Sequence, residues 1–183
     1  MQKFGLPKMQ IRRLSSDDDL EQITRLIHLA YAPHAALGLR YWGTHQTVAD
    51  TATRFASGQG FIAEEDGECV GTITVRPPQP ESSLAPYRDA HTWSICQFAV
   101  SPRLKGAGIG RTLHDMALAH AHRHGGRTMM IDTAAPAKGL IAMYRAWGYR
   151  HIGMHSWQPH TNFESVVMSL AIGEAMDGAE RFS

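Results

Sequence analysis

The sequence is short of the features that mark several protein classes. It has two cysteines in 183 residues, Cys69 and Cys96, both inside apolar, strand-like stretches. Small secreted domains held by disulfides carry several spaced cysteines, so that scaffold is excluded and a reducing cytoplasm is the expected setting. Neither sign of charge is in excess: Lys and Arg total 18 against 17 Asp and Glu, a formal net charge of +1. A surface that neutralises phosphates needs a basic face, so nucleic acid is not an expected partner. No apolar run approaches a membrane span, and Met1 to Gln10 lacks the continuous apolar stretch of a signal peptide, so no membrane partner is expected either. No segment is of low complexity and no internal repeat is visible. The length suits one domain with a substantial apolar core.

Local signals order the chain. Met9 to Leu14 alternates as a short strand. Ser15, Ser16 and Asp17 to Asp19 supply a cap and an acidic first turn. Leu20, Ile23, Leu26, Ile27 and Ala30 follow at helical spacing, which predicts a helix to about Tyr31, broken by Pro33 and Gly38. His34 to Thr44 is apolar, aromatic and without period; Val48 to Phe55 is helical again. Gly60 to Glu64 and Cys69 to Val75 are β-rich runs joined by Glu65-Asp66-Gly67-Glu68, a hairpin signal. Pro77, Pro78, Pro80 and Pro86 mark Pro77 to Asp89 as a surface loop. Thr92 to Val100 is a largely apolar strand of the kind covered on both faces. A helix from about Gly108 to His124 carries Ile109, Leu113, Met116, Ala117 and Ala121 on one stripe and ends at Gly125-Gly126. Thr128 to Asp132 is a strand, Ala137 to Trp147 a helix stopped by Gly148, and Tyr149 to Trp157 and Phe163 to Leu170 are strands. The expected domain is 9–172, with 173–183 a flexible tail. Strand–helix–strand–helix implies a parallel pair within a mixed sheet, an α+β domain.

The most informative stretch is Val100 to Leu113, VSPRLKGAGIGRTL. A strand runs into a turn with glycines at alternate positions, Gly106, Gly108 and Gly110, and then into a helix. Glycine lets the backbone take positive φ and approach a ligand without Cβ in the way. Free N–H groups at the helix start form an anion site, and Lys105 and Arg111 add positive charge. Those residues point to a phosphate-bearing ligand. A P-loop fits poorly because Arg111-Thr112, not Lys-Ser or Lys-Thr, follows the last glycine. The dinucleotide fingerprint fits poorly, since the third glycine comes one residue early and only Asp132 offers an acidic residue downstream.

This segment resembles the acyl-CoA motif of the GNAT superfamily, Arg/Gln-x-x-Gly-x-Gly/Ala after an apolar strand ending Val-x-Pro. Val100 and Pro102 sit where that pattern puts them, Lys105 takes the Arg/Gln position, and Gly108 and Gly110 match. Downstream, Met143-Tyr144-Arg145-Ala146-Trp147-Gly148-Tyr149 resembles the family's Leu-Tyr-x-x-x-Gly-Phe. Lysine at 105 is a departure, and Ala134, Ala135 and Pro136 stand where many members have an asparagine, so no role is assigned there. The resemblance implies a mixed, mostly antiparallel sheet flanked by about four helices, with a splayed parallel strand pair. It implies acetyl-CoA as acyl-donor co-substrate, with Phe98, Ala99 and Val100 on the pantetheine and thioester. Lys105, Gly106, Ala107, Gly108, Ile109, Gly110, Arg111 and Thr112 would hold the pyrophosphate. An N–H near Phe98 or Ala99 would polarise the thioester carbonyl, and Tyr144 would serve as general acid for the CoA thiolate.

The activity so implied is N-acyl transfer, acetyl from acetyl-CoA to a primary amine, directly within a ternary complex. The acceptor is a small-molecule or peptide amine. Tyr31, Tyr41 and Trp42 fall where the family commonly shapes the acceptor pocket, although core or interface roles suit them equally. Trp157, His160 and Asn162 are in the same position, and that region can mediate a homodimer. Gln97 is placed to orient a water, His91, His151 and His155 are conceivable bases, and Cys96 reads as a buried strand residue. His120 and His124 share a helix face, but no third ligand follows, so no metal is expected. The alternative function is a non-catalytic module that binds acyl-CoA and regulates a partner. A tRNA-acetylating toxin would want a basic face that the near-neutral charge denies it.

Overall fold

A computed structural model describes residues 9–173, 175 and 176. The strands are β1 (Met9–Arg13), β2 (Gln59–Glu65), β3 (Glu68–Arg76), β4 (Thr92–Val100), β5 (Thr128–Ala134), β6 (Arg150–Ser156) and β7 (Glu164–Ala171). The helices are α1 (Leu20–Ala36), α2 (Val48–Ala56), α3 (Ile109–Arg123) and α4 (Lys138–Ala146). Short 3₁₀ turns occupy Trp42–Thr44, Ala85–Arg88 and Pro102–Leu104.

Local chemistry accounts for most boundaries. The Asp19 carboxylate caps α1, accepting from the N–H groups of Glu21 and Gln22. Thr47 and Asp50 form a reciprocal capping box on α2. Asp66 and Gly67 both have positive φ, 51° and 88°, the geometry of a two-residue hairpin turn whose twist matches its strands. One expectation fails: α1 does not stop before Pro33 but runs to Ala36. Pro33 lies in the last turn, and both it and Leu29, the residue whose carbonyl loses its partner, face solvent. Water there replaces the missing bond, so the proline does not end the helix. Gly38 does, with φ 76° and its N–H on the Ala35 carbonyl.

The seven strands form one sheet in the order β1-β2-β3-β4-β5-β7-β6. Every pairing is antiparallel except β4–β5. That parallel contact is short, running from Thr92↔Thr128 to Ser94↔Met130. Beyond it β4 stays paired with β3 as far as Val100, and β5 with β7 as far as Ala134, so the two strands diverge. A bulge helps turn β4 aside. Thr72 pairs with Ala99 and Thr74 with Cys96, leaving Gln97 and Phe98 opposite Ile73 alone. Gln97 has φ 49°.

Helices cover both faces. Against α3 and α4 lies the main core, with Phe61, Ile73, Leu113, Met129, Ile131, Tyr144 and Met168 all buried. Under α1 and α2, Ile23, Ile27, Phe55, Ile62 and Ala99 form a second cluster. A third, of Leu84, Tyr87, Met130 and Val167, sits beneath the proline-rich loop after β3. Ala175 and Met176, in the segment expected as tail, pack against the main core. Residues 174 and 177–183 of that segment lie outside the described residues.

Candidate active site

The glycine turn is built from main chain. After β4, Gly106 and Gly108 adopt φ of 86° and 83°, a left-handed conformation that costs side-chain-bearing residues about 1–2 kcal/mol. Gly108 is the N-cap of α3, and no side chain caps that helix end. The first amides of α3 therefore have neither an intrahelical acceptor nor a side-chain one. A Cβ on Gly106 or Gly108 would meet nothing within 4 Å, so the turn opens onto free space rather than onto packed protein. Arg111 bonds Asp115 at 3.0 Å and lies 5.2 Å over the Trp147 ring. The Lys105 ammonium has no hydrogen bond or ion pair among the described residues, while its N–H donates to the Pro102 carbonyl. An anion reaching this turn meets open amides, the positive end of a helix dipole and one unpaired ammonium.

From the turn a cleft of about 460 Å³ runs between α1 and α4 along Phe98 to Val100, the part of β4 no longer paired with β5. Phe98, Ala99, Val100, Lys105, Gly106, Gly108, Ile109, Gly110 and Arg111 line it, as do Tyr31 and Tyr144. The structure thus brings eleven of the residues singled out from the sequence to one cavity. Ala107, Thr112, Tyr41 and Trp42 are not among its lining residues. Thr112 turns its hydroxyl to the Gly108 carbonyl at 3.2 Å. Pro33 and His34 of the last turn of α1 also line the cleft, a wall that exists because α1 continues past its proline.

Tyr144 is 5% exposed, with its ring packed edge-on against Trp147 and Tyr149. Burial pushes its pKa well above the ordinary 10, and neighbouring Tyr31, Tyr149, Tyr41 and Asp132 push the same way. The hydroxyl is therefore held protonated, and it has no hydrogen-bond partner among the described residues. Two other tyrosines border the diverging strands. Tyr31 donates to the Phe98 carbonyl at 3.2 Å. The Tyr41 hydroxyl accepts from the Ala134 N–H at 3.1 Å and meets the Thr133 hydroxyl at 2.9 Å. Tyr41 thus reaches the stretch where the sequence assigned no role.

The bulge of β4 is fixed by a buried polar network. Gln46, 1% exposed, donates to the Gln97 side-chain oxygen and to the Thr51 hydroxyl, each at 2.7 Å. Gln97 in turn donates to Thr74 at 3.3 Å. Arg54 closes the network, donating to the Gln46 side-chain oxygen at 2.7 Å. The Gln97 amide is engaged inside the protein and only 2% exposed, so it does not orient a water in the cleft. His91, His151 and His155, also considered as bases, bond Gly125, Gly153 and Ser83 and do not line the cleft.

The segment after α1 and the β6–β7 loop meet across the same end of the sheet. Asn162 accepts from the Arg40 N–H and donates to the Gly38 carbonyl, both at 2.8 Å. The Trp42 and His160 rings stack at 4.4 Å, and Tyr41 packs on Phe163 at 4.7 Å. Two sets of residues that the sequence left as separate candidates therefore form one clasp. Gln46, Arg54, Tyr87 and Asp132 in this region were missed. Gln46 bonds Gln97 across 51 positions and Asp132 bonds Tyr87 across 45, and no local pattern distinguishes such a glutamine, or the arginine eight residues from it, from a surface one.

Comparison with known proteins agrees with this architecture. The family model described as "Acetyltransferase (GNAT) family" matches residues 20–149. The S-(2-succino)cysteine N-acetyltransferase of Bacillus subtilis is 31% identical over 143 residues, covering 77% of this chain and 84% of that protein. The S-alkylcysteine N-acetyltransferase of the same organism is 28% identical over 149 residues, covering 76% and 78%. A GNAT family acetyltransferase from Elizabethkingia anophelis, solved with acetyl-CoA bound, has a TM-score of 0.63 at 15% identity and covers 89% of this chain and 97% of that one. That likeness shows the fold, and the family's acyl donor is acetyl-CoA. A matching family model across most of the chain, a splayed parallel strand pair and a left-handed glycine turn opening α3 lead to one conclusion: this chain belongs to the GNAT family of acetyltransferases.

Proposed function

We propose that this acetyltransferase moves the acetyl group of acetyl-CoA directly to the amine of a small amino-acid-like acceptor. The observation that carries the reading is the cleft itself. It joins an open-amide turn to a strand gap beside a protonated, unpartnered tyrosine hydroxyl. The turn from Lys105 to Thr112 would hold the pyrophosphate, and Phe98, Ala99 and Val100 the pantetheine arm. Acetyl-CoA supplies an acetyl group activated as a thioester. A main-chain N–H at Phe98 or Ala99 would polarise the thioester carbonyl as the tetrahedral intermediate forms. The amine loses a proton to solvent, its nitrogen bonds the carbonyl carbon, and the carbon–sulfur bond breaks. Tyr144 would give its proton to the departing thiolate, which burial equips it to do by keeping that proton in place at neutral pH. Tyr41 and Trp42, clasped to the β6–β7 loop, would shape the acceptor end. Both Bacillus subtilis relatives are named for S-substituted cysteines, which supports a small amino-acid-like acceptor here.

The test is free-thiol release from acetyl-CoA over a panel of amines, paired with calorimetry of CoA binding. Thiol release that depends on a small amine is the expected result. CoA affinity with no release on any acceptor would instead favour a regulatory acyl-CoA-binding module.

A further inference from the structure

The acceptor side of the strand gap carries one carboxylate and one guanidinium that the fold leaves without charged partners. Asp132 stands on β5 two residues beyond Met130, the last position paired with β4, and so at the vertex of the gap. It is half-buried, and each of its oxygens is held by a neutral donor: Tyr87 Oη at 3.1 Å on one, Trp157 Nε1 at 2.9 Å on the other. No cation of the described residues forms an ion pair with it. A carboxylate oxygen accepts more than one hydrogen bond, so both retain capacity.

Arg54 reaches the bulge of β4 through Gln46, which donates to Gln97. One of its nitrogens donates to Gln46, and its guanidinium carbon sits 5.2 Å over the Trp42 ring. Asp50, one turn earlier on α2, is committed to the N–H and hydroxyl of Thr47, and Arg54 forms no ion pair among the described residues. The rest of its planar fork of donors is unclaimed. The Trp42 ring beneath Arg54 belongs to the same segment as Tyr41, which packs on Tyr31 at 5.3 Å and whose hydroxyl meets that of Thr133, the residue after Asp132. The Tyr31 hydroxyl lies against the Phe98 carbonyl, and burial pushes its pKa up to about 12, with Arg54 acting to lower it and Asp132 to raise it.

We propose that the acceptor is a free α-amino acid, its amine oriented by the Asp132 carboxylate and its carboxylate received by the Arg54 guanidinium. This rests on the acyl-transfer reading above and adds the acceptor's class. An α-amino acid presents an ammonium and a carboxylate one carbon apart, the charge pattern that Asp132 and Arg54 complement. An N–H donated to Asp132 holds the nitrogen at the vertex while its lone pair, once the extra proton is shed to solvent, faces the thioester. A peptide N-terminus or a simple alkylamine brings no carboxylate to Arg54 and leaves that cation desolvated without a partner. Arg76 is the competing cation. Its Nε is buried without a hydrogen bond, but it sits opposite Ser94, behind the vertex, where β4 and β5 are still paired.

The experiment compares S-benzyl-L-cysteine, its carboxamide and 2-(benzylthio)ethylamine as acceptors for wild type, Arg54→Gln, Arg76→Gln and Asp132→Asn, with thermal unfolding to confirm that each variant folds. Wild type is expected to prefer the free acid by about 100-fold in kcat/KM over both analogues. Arg54→Gln should shrink that preference to roughly threefold, mainly through KM for the acid. Asp132→Asn should lower kcat/KM on all three amines by about 100-fold, with acetyl-CoA affinity unchanged. Calorimetry of S-benzyl-L-cysteine on the CoA-saturated protein gives a readout independent of turnover, with binding expected for wild type and lost in Arg54→Gln. Equal use of acid and carboxamide by wild type, undiminished preference in Arg54→Gln, or its loss in Arg76→Gln alone overturns the proposal. So does CoA affinity without binding or turnover of the amino acid. Absence of CoA affinity would strike the acyl-transfer reading instead.

Discussion

The two regions that flank the strand gap are made differently. At the proposed donor end the exposed groups are backbone amides of one continuous segment, Lys105 to Arg111, set by two left-handed glycines and an uncapped helix. At the proposed acceptor end they are side chains from α1, α2, β5 and the β6–β7 loop, joined by bonds such as Arg40–Asn162 that span 122 positions. A backbone site needs little from its surroundings once the turn is formed. A side-chain site depends on every contact that holds those elements together. The donor end should therefore be broken by conformational changes and the acceptor end by lost contacts.

Substitutions sharpen that division, beginning with the group between the two ends. Tyr144→Phe should lower kcat by about 100- to 1000-fold while the acetyl-CoA dissociation constant stays within about twofold, measured by thiol release and calorimetry. Gly108→Val forces a β-branched residue to φ 83° and places a side chain where ligand would approach. Acetyl-CoA affinity should fall by about 100-fold, with only a few degrees lost in thermal unfolding because the added Cβ meets no packed atom. Gln97→Leu acts on both ends, since it removes one of the two acceptors of the buried Gln46 amide and loosens the bulge of β4. It should cost about 1–3 kcal/mol and several degrees of melting temperature, and weaken donor and acceptor kinetics together. Asn162→Ala releases only the clasp. It should raise acceptor KM about fivefold, leave acetyl-CoA affinity untouched and scarcely move the melting temperature. If Asn162→Ala weakened acetyl-CoA instead, the two ends would not be separable.

Acid supplies the mildest probe. Burial lowers the pKa of His114, and burial with nearby His124, Arg13 and Arg123 lowers that of His120 to about 4. A histidine whose folded pKa lies below the unfolded value of 6.5 favours the folded state fully above that pH. Its contribution is lost as pH falls toward the folded pKa. Melting temperature should thus drop between about pH 7 and pH 5, and His120→Leu should flatten the drop. Both histidines lie on α3, so acetyl-CoA, if it braces the donor end, should offset part of this loss.

Local patterns made much of the fold legible. The spacing of Leu20, Ile23 and Ile27, the Asp66-Gly67 turn and the run Thr92 to Val100 each specify an element through neighbours a few residues away. The glycine turn was legible for the same reason: positive φ at Gly106 and Gly108 is a short-range requirement written in residue type. The end of α1 was misread because a proline in a solvent-facing last turn costs one bond that water replaces. The roles of Gln46, Arg54 and Asp132 could not be read at all. Whether a glutamine is 1% exposed, or a carboxylate lacks a cation, depends on which distant segments fold against it.

The sequence by itself determined the order of elements, the hairpin, the phosphate-competent turn and the likeness to one acyltransferase family. All of these follow from periodicity and backbone preference over short stretches. Tertiary structure alone decided where β4 leaves β5, which tyrosine borders which strand, and that Arg54 stacks over Trp42 while Tyr87 and Trp157 hold Asp132. Those arrangements come from packing between segments far apart in the chain, where the energy of a contact depends on both partners and neither one announces the other.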